Sequence, residues 1–171
     1  MRWEPLLFIF LITGLIALAI LATGPKRRCL AFLILGYCTS LATILFSPIS
    51  VSGTALYLMP LGTGQVNLTR LAFANLGFLE NIILTIPLGL ILKTTLPKWP
   101  LLGVALTGLF IGSGIEITQY FLSHDFLINR SSDINDVLAN ALGILIGGIL
   151  MASYQRIRLV HHKRTAHQLA S

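Results

Sequence analysis

The chain has 171 residues, of which 55% are hydrophobic and 11% are charged. Its apolar runs add up to about 100 residues, which suffices for five membrane helices of about 20 residues each and leaves little for a soluble domain. The net charge of +6 does not indicate nucleic-acid binding, because the basic residues flank apolar runs, where they orient spans and contact anionic lipids. We therefore predict one integral membrane domain over residues 1–171, with membrane lipids as partners and no nucleic acid.

Five apolar runs predict an all-α membrane protein, a small bundle of about five transmembrane helices. The runs cover residues 5–23, 29–47, 79–96, 101–122 and 137–154. With the N-terminus outside and the C-terminus in the cytoplasm, nine Lys and Arg residues are cytoplasmic and three are outside, namely Arg2, Arg70 and Arg130. This bias favours that orientation. A signal peptide is the alternative for the first run, but cleavage would leave the basic residues 26–28 outside.

Two segments outside the spans have a recognisable character. Residues 48–78 form the longest loop, and its second apolar stretch, LTRLAFANLGF, predicts a short helix on the outer membrane surface. Residues 156–171 form a basic cytoplasmic tail with three histidines. We expect this tail to rest on anionic headgroups rather than to bind a metal.

Polar residues interrupt the third and fourth runs. Glu80 and Asn81 open the third span at its outer end, and Pro87 and Gly89 lie in its middle. In the fourth span one helix face carries small and polar residues at a helical spacing: Gly108, Gly112, Glu116 and Gln119. A carboxylate inside a membrane is costly and usually faces a bundle interior or a wet cavity. The alternatives are a helix-dipole role for Glu80 and a packing hydrogen bond for Glu116.

The fifth span begins with another polar stripe. Its members share one helix face: Asp133, Asp136, Asn140, Gly143 and Gly147. The glycine pair, like Gly108 and Gly112, is typical of close helix contacts. Ser131 or Ser132 is expected to cap the helix, and a favourable dipole interaction is the alternative role of the two aspartates.

Antiparallel threading predicts that these polar residues meet in one layer at the outer leaflet. The third span starts outside, the fourth ends outside and the fifth starts outside. The candidate site comprises eight residues: Glu80, Asn81, Glu116, Gln119, Arg130, Asp133, Asp136 and Asn140. Arg130 is its one cation, and the planar guanidinium is suited to bridging two of the four carboxylates.

Three sequence blocks carry a resemblance to a known family: ENIILTIPLG, IEITQ and RSSDINDVLANALGILIG. The chain resembles the VanZ-like family of bacterial membrane proteins over roughly residues 67–150. The family pattern falls on eleven positions: Asn81, Pro87, Gly89, Glu116, Gln119, Arg130, Asp133, Asp136, Asn140, Gly143 and Gly147. Thr85 is a departure, since the family usually has an aromatic residue there. The first two spans match nothing specific.

This resemblance implies a multi-pass protein of the bacterial cytoplasmic (inner) membrane. The namesake is linked to low-level teicoplanin resistance, so we expect a module that binds or modifies an envelope component at the outer leaflet, such as a lipid-linked precursor or a lipoglycopeptide. One alternative is a small enzyme using Glu116, Asp133 and Asp136 as acid/base groups or as ligands for Mg²⁺, Ca²⁺ or Mn²⁺. Another is a proton-coupled transporter with a buried glutamate as relay. No cofactor is expected.

Overall fold

The computed structural model of the protein describes residues 1–24, 26–52, 54–73 and 75–170, without the side chains of 51, 52 and 162–170. The described part contains five helices long and apolar enough to cross a membrane: α1 (Glu4–Thr23), α2 (Arg28–Phe46), α3 (Leu76–Thr95), α4 (Leu101–Phe126) and α5 (Ile134–Ala170). The predicted all-helical, five-span class is therefore confirmed. The orientation of the termini stays a prediction.

The chain divides into two compact units that alternate along the sequence. Unit 1 consists of Met1–Arg70 and Ile115–Ile134, and unit 2 consists of Leu71–Gly114 and Asn135–Ser171. Each unit is built from helices that can span a membrane, and α4 contributes to both.

In unit 1, α1 and α2 form an antiparallel pair. Thr13 and Thr39 share a hydrogen bond of 2.9 Å between their hydroxyls, one on each helix, and the Thr39 hydroxyl also donates to the Leu35 carbonyl of its own helix at 2.8 Å. Gly24 ends α1: its N–H donates to the carbonyl of Ile20, and its left-handed φ of 58° then turns the chain out of the helix. Pro5 is the buried residue of α1, so this helix presents nearly all of its apolar surface outward.

Short strands follow α2 and the end of α4 in unit 1. Strands β1 (Ile49–Ser52) and β2 (Ala55–Leu58) form an antiparallel hairpin with Ile49 opposite Leu58. Strands β3 (Val66–Asn67) and β4 (Ser132–Asp133) pair in parallel, and Gly62 bridges to Ile128 in the same direction. The segments 62–67 and 128–133, which are distant in sequence, thus lie side by side.

The predicted surface helix over the second stretch of the long loop is wrong. Residues 68–73 contain no helix, because the Asn67 side chain accepts the N–H groups of Thr69 and Arg70 and holds this stretch in a turn. A helix begins only at Leu76, where the Asn75 side chain caps it by accepting the N–H of Phe78 at 2.7 Å.

In unit 2, α3 and α4 pack against α5 through glycines. A Cβ at Gly89 would lie 2.0 Å from the carbonyl oxygen of Ile144, and one at Gly147 would lie 2.1 Å from that of Ile86. On α4, a Cβ at Gly112 would lie 2.7 Å from the Val137 oxygen, and one at Gly108 would lie 3.1 Å from Ala141. At Gly89, Gly147 and Gly112 the helix backbones approach too closely for a larger residue, and at Gly108 the neighbouring backbone would have to shift by a few tenths of an ångström.

Candidate functional site

The eight candidate residues divide equally between the two units. Unit 1 contains Glu116, Gln119, Arg130 and Asp133, and unit 2 contains Glu80, Asn81, Asp136 and Asn140. The gathering of all eight in one layer stays a prediction. The geometry within each unit assigns defined contacts to several of them.

Glu116 is the buried carboxylate of unit 1. It is 6% exposed on α4, and its Oε2 accepts the backbone N–H of Asp133 at 2.9 Å. The Glu116 carbonyl accepts the hydroxyl of Ser132, also at 2.9 Å. Since α4 continues to Phe126, about 15 Å of helix at 1.5 Å per residue lies between Glu116 and the helix end. The chain after α4 therefore folds back along the helix to reach Glu116.

This returning segment, residues 127–133, is anchored by Ser123 of α4. The Ser123 hydroxyl accepts the N–H of Arg130 at 2.8 Å and donates to the Arg130 carbonyl at 2.9 Å. Ile128 is fully buried, while Leu127 and Asn129 adopt positive φ values of 56° and 61°. A leucine in this conformation costs about 1–2 kcal/mol, so the surrounding contacts must hold the segment in place.

The predicted serine cap of α5 is wrong. The helix begins at Ile134, so Asp133 immediately precedes it. The Ser132 hydroxyl is bonded to Glu116, and the Ser131 hydroxyl accepts the N–H of Gln65. Pairing with distant segments displaces both serines from the local capping role.

Asn67 joins the long loop to the candidate site in unit 1, and the sequence offered no signal for it. Its Nδ2 donates to Oδ1 of Asp133 at 2.9 Å and to the Arg70 carbonyl at 2.8 Å. The neighbouring Gly64 has a φ of 72°, and a Cβ there would lie 1.9 Å from the Arg130 carbonyl oxygen. Only glycine permits this approach of the two segments.

Arg130 and Gln119 bind the C-terminal end of α2. Gln119, which is 6% exposed, donates from Nε2 to the Leu45 carbonyl at 3.1 Å. The Arg130 guanidinium donates to the carbonyls of Ile44, Ser47 and Ile49. The last carbonyls of a helix have no intrahelical partner, and its C-terminus favours a cation. Both residues thus complete the end of α2, a role that the sequence did not indicate; the predicted carboxylate bridge by Arg130 stays a prediction.

Asn140 is a buried amide of unit 2. It is 1% exposed, and within the described parts of the chain neither its Oδ1 nor its Nδ2 has a hydrogen-bond partner. Its backbone carbonyl accepts the hydroxyl of Thr85, which is fully buried on α3. That hydroxyl would lie 2.2 Å from a Cβ at Gly143, so the small threonine fits the close contact between α3 and α5. A buried, unsatisfied amide costs about 1–3 kcal/mol.

The other three candidates of unit 2 are half-buried. Glu80 lies in the second turn of α3 rather than at its start, because Asn75 caps the helix four residues before the predicted first residue. The Asn81 carbonyl accepts the Thr85 hydroxyl at 2.8 Å, and Asp136 lies in the first turn of α5. Next to it, Asn135 is 3% exposed and accepts the N–H of Ala72 at 2.8 Å through Oδ1, a contact that sequence reasoning missed.

The donor set of the site consists of carboxylate and amide oxygens, which are hard ligands. Among the described residues, no three His, Cys, Asp or Glu side chains lie together in a way that could hold a metal ion. A carboxylate-only metal centre therefore has no geometric support in that part of the chain.

Five apolar helices, with charged and amide side chains buried within each of the two units, are the features of a multi-pass membrane protein. The chain belongs to the VanZ/LLP1 family, whose model matches residues 32–155. The resemblance seen in the sequence is thereby confirmed, but its extent was underestimated, because the match also covers most of α2. No curated protein and no solved structure matches the chain.

Proposed function

We propose that this protein binds or modifies an amphiphilic envelope component at the outer leaflet of the bacterial cytoplasmic membrane. Candidate ligands are a lipid-linked cell-wall precursor and a lipoglycopeptide of the teicoplanin type. The proposal rests on the predicted orientation, with the N-terminus outside, and on the membership of the VanZ/LLP1 family.

The observation that carries the proposal is the burial of Glu116. A carboxylate that is 6% exposed within a membrane helix is costly, and intramembrane ionisable residues usually mark functional sites. Glu116 is also fixed in position, since the returning segment donates the Asp133 N–H to it. A preorganised acceptor beside a loop suits recognition of a polar headgroup whose lipid tail stays in the leaflet.

Further support comes from the contact between Asn67 and Asp133. The Asn67 amide links the long loop to the residue before α5, so a ligand at Glu116 or Asp133 would meet a loop already held in place. Loops held on a rigid scaffold commonly carry binding residues.

The test replaces Glu116 by Gln and Asp136 by Asn, singly and together, in a bacterial host that carries the gene. Both changes remove a negative charge and keep the size and most polar contacts. We expect membrane abundance to stay near that of the wild type, while resistance to a teicoplanin-type lipoglycopeptide, or another envelope phenotype of the gene, is lost.

The matched control is Glu4→Gln, which removes a carboxylate that is 44% exposed and pairs with the N-terminal amine at 3.8 Å. This control should keep the phenotype. Binding of a fluorescent lipoglycopeptide and of a polyprenyl-linked precursor to the purified protein in lipid nanodiscs separates the two ligand classes. A normal phenotype and unchanged binding in the double variant would reject the proposal and leave Glu116 with a packing role.

A further inference from the structure

The hairpin β1–β2 exposes large apolar side chains. Leu56 is 74% exposed and Leu58 is 60% exposed, and all four residues of β2 are exposed. Side chains alternate between the two faces of a strand, so Leu56 and Leu58 lie on the same face. A contiguous apolar face of this kind normally has a partner.

The opposite face of the hairpin is partly covered within unit 1, on the side of β1. Ser50 pairs with Tyr57 in the register and is buried, and its hydroxyl accepts from Nη1 of Arg130 at 3.5 Å. The face with Ser50 thus lies against the arginine that binds the end of α2. The face with Leu56 and Leu58 points away from it.

The sequence around the hairpin contains no charged residues. Between Arg28 and Arg70 the chain has no Asp, Glu, Lys, Arg or His, so the hairpin and the loops beside it are as free of charge as the part of α2 that follows Arg28. A loop that projects into water usually carries charged residues, whereas a segment in contact with lipid avoids them.

The hairpin is held close to the end of α2 and the start of α1. Its first strand starts three residues after the end of α2, and the N–H of Met59 donates to the Pro48 carbonyl at 2.8 Å. The Arg2 guanidinium donates to the Met59 carbonyl, which ties the hairpin to the start of α1. Trp3, at the same helix start, is 39% exposed, and tryptophan and tyrosine prefer the membrane interface.

We infer that the Leu56/Leu58 face of the hairpin inserts into the lipid leaflet at which α1 begins and α2 ends. Lipid is the occupant because the chain around the hairpin carries no charge and because the hairpin is bonded to the start of α1, a helix whose large apolar side chains are exposed. The depth is limited, since both strands of a two-stranded sheet keep an outer edge with N–H and C=O groups that need water or headgroups. The hairpin therefore rests at the headgroup–acyl boundary, where interfacial segments bury their apolar face by about 5–10 Å.

The test places a polarity-sensitive fluorophore on single cysteines in nanodiscs of phosphatidylglycerol and phosphatidylethanolamine. The background is Cys29→Ala with Cys38→Ala, and the labelled variants are Leu56→Cys and Leu58→Cys. Both native cysteines and both leucines are exposed, so all four changes should leave folding intact. Lys98→Cys, in the exposed turn before α4, is the water reference, and Phe10→Cys, on α1, is the acyl-chain reference.

We expect the emission at positions 56 and 58 to be shifted to the blue relative to position 98 and to resist quenching by iodide. A lipid nitroxide near the headgroup should quench these probes more than one near the chain end, with the opposite order at position 10. Iodide quenching equal to that at position 98 would overturn the inference, because the hairpin would then lie in water. Resistance to both quenchers would also overturn it, because a protein surface, such as a second copy of the chain, would then cover the face.

Discussion

Replacement of Arg130 by alanine should destabilise the protein strongly. The guanidinium binds the carbonyls of Ile44 and Ser47, which have no helical donor at the end of α2, and the carbonyl of Ile49 at the start of β1. Alanine leaves these acceptors without a partner, and each buried acceptor that loses its donor costs about 1–3 kcal/mol. Arg130 is partly exposed, so water can bind some of these carbonyls in the alanine variant. We therefore expect the free energy of unfolding to fall by about 3 kcal/mol, the lower end of the sum for three acceptors.

Arg130→Lys provides a graded comparison. A lysine keeps the positive charge at the helix C-terminus, but its compact ammonium cannot span three carbonyls in the way of a planar fork. The lysine variant should therefore lie between the wild type and alanine. Arg70→Ala is the matched control, because Arg70 is an exposed arginine of the same unit.

The assay is the fraction of monodisperse protein that remains after heating in detergent, together with the folded yield from membranes. The expected order of stability is wild type and Arg70→Ala, then Arg130→Lys, then Arg130→Ala. If Arg130→Ala and Arg70→Ala gave equal yields and equal midpoints, Arg130 would be a solvated loop cation and the reasoning from the α2 carbonyls would be refuted.

Three other predictions concern stability and topology. Asn140→Leu should raise the thermal midpoint, because it removes two buried amide atoms without partners among the described residues. The expected gain in the free energy of unfolding is about 1–3 kcal/mol. Asn75→Ala should lower the midpoint, because the side-chain cap of α3 is worth about 1 kcal/mol. A lower midpoint for Asn140→Leu would mean that the amide is hydrogen-bonded in the membrane. A reporter active only in the cytoplasm should be active after Thr23 or Ser171 and inactive after Pro60 in the exposed loop; activity at all three positions would contradict the orientation.

The sequence predicted the spans well because membrane insertion depends on local composition. A helix that is apolar over about 20 residues can span a bilayer whatever its neighbours are. The predicted start of α1 differs from the observed Glu4 by one residue, and that of α4 agrees at Leu101. Larger errors occur at two helix ends. The helix α3 begins at Leu76, because the Asn75 side chain caps it there, and α4 ends only at Phe126.

The sequence also identified Glu116 and Asn140 as unusual, because charged and amide side chains are rare inside membrane helices, and it identified Arg130 as the one cation of the predicted cluster. Their contacts could not be predicted in the same way. Gln119 meets a carbonyl 74 residues away and Arg130 one that is 86 residues away, and no local pattern encodes such separations.

The chain by itself thus determined its class, its five membrane helices, its family and the residues whose burial is costly. The tertiary structure decided that residues 62–67 lie beside residues 127–133, that Gln119 and Arg130 complete the end of α2, and that Asn67 reaches Asp133. The physical reason is that hydrophobicity is a property of each segment alone. A buried polar group, in contrast, must be satisfied by whichever distant segment the fold brings to it.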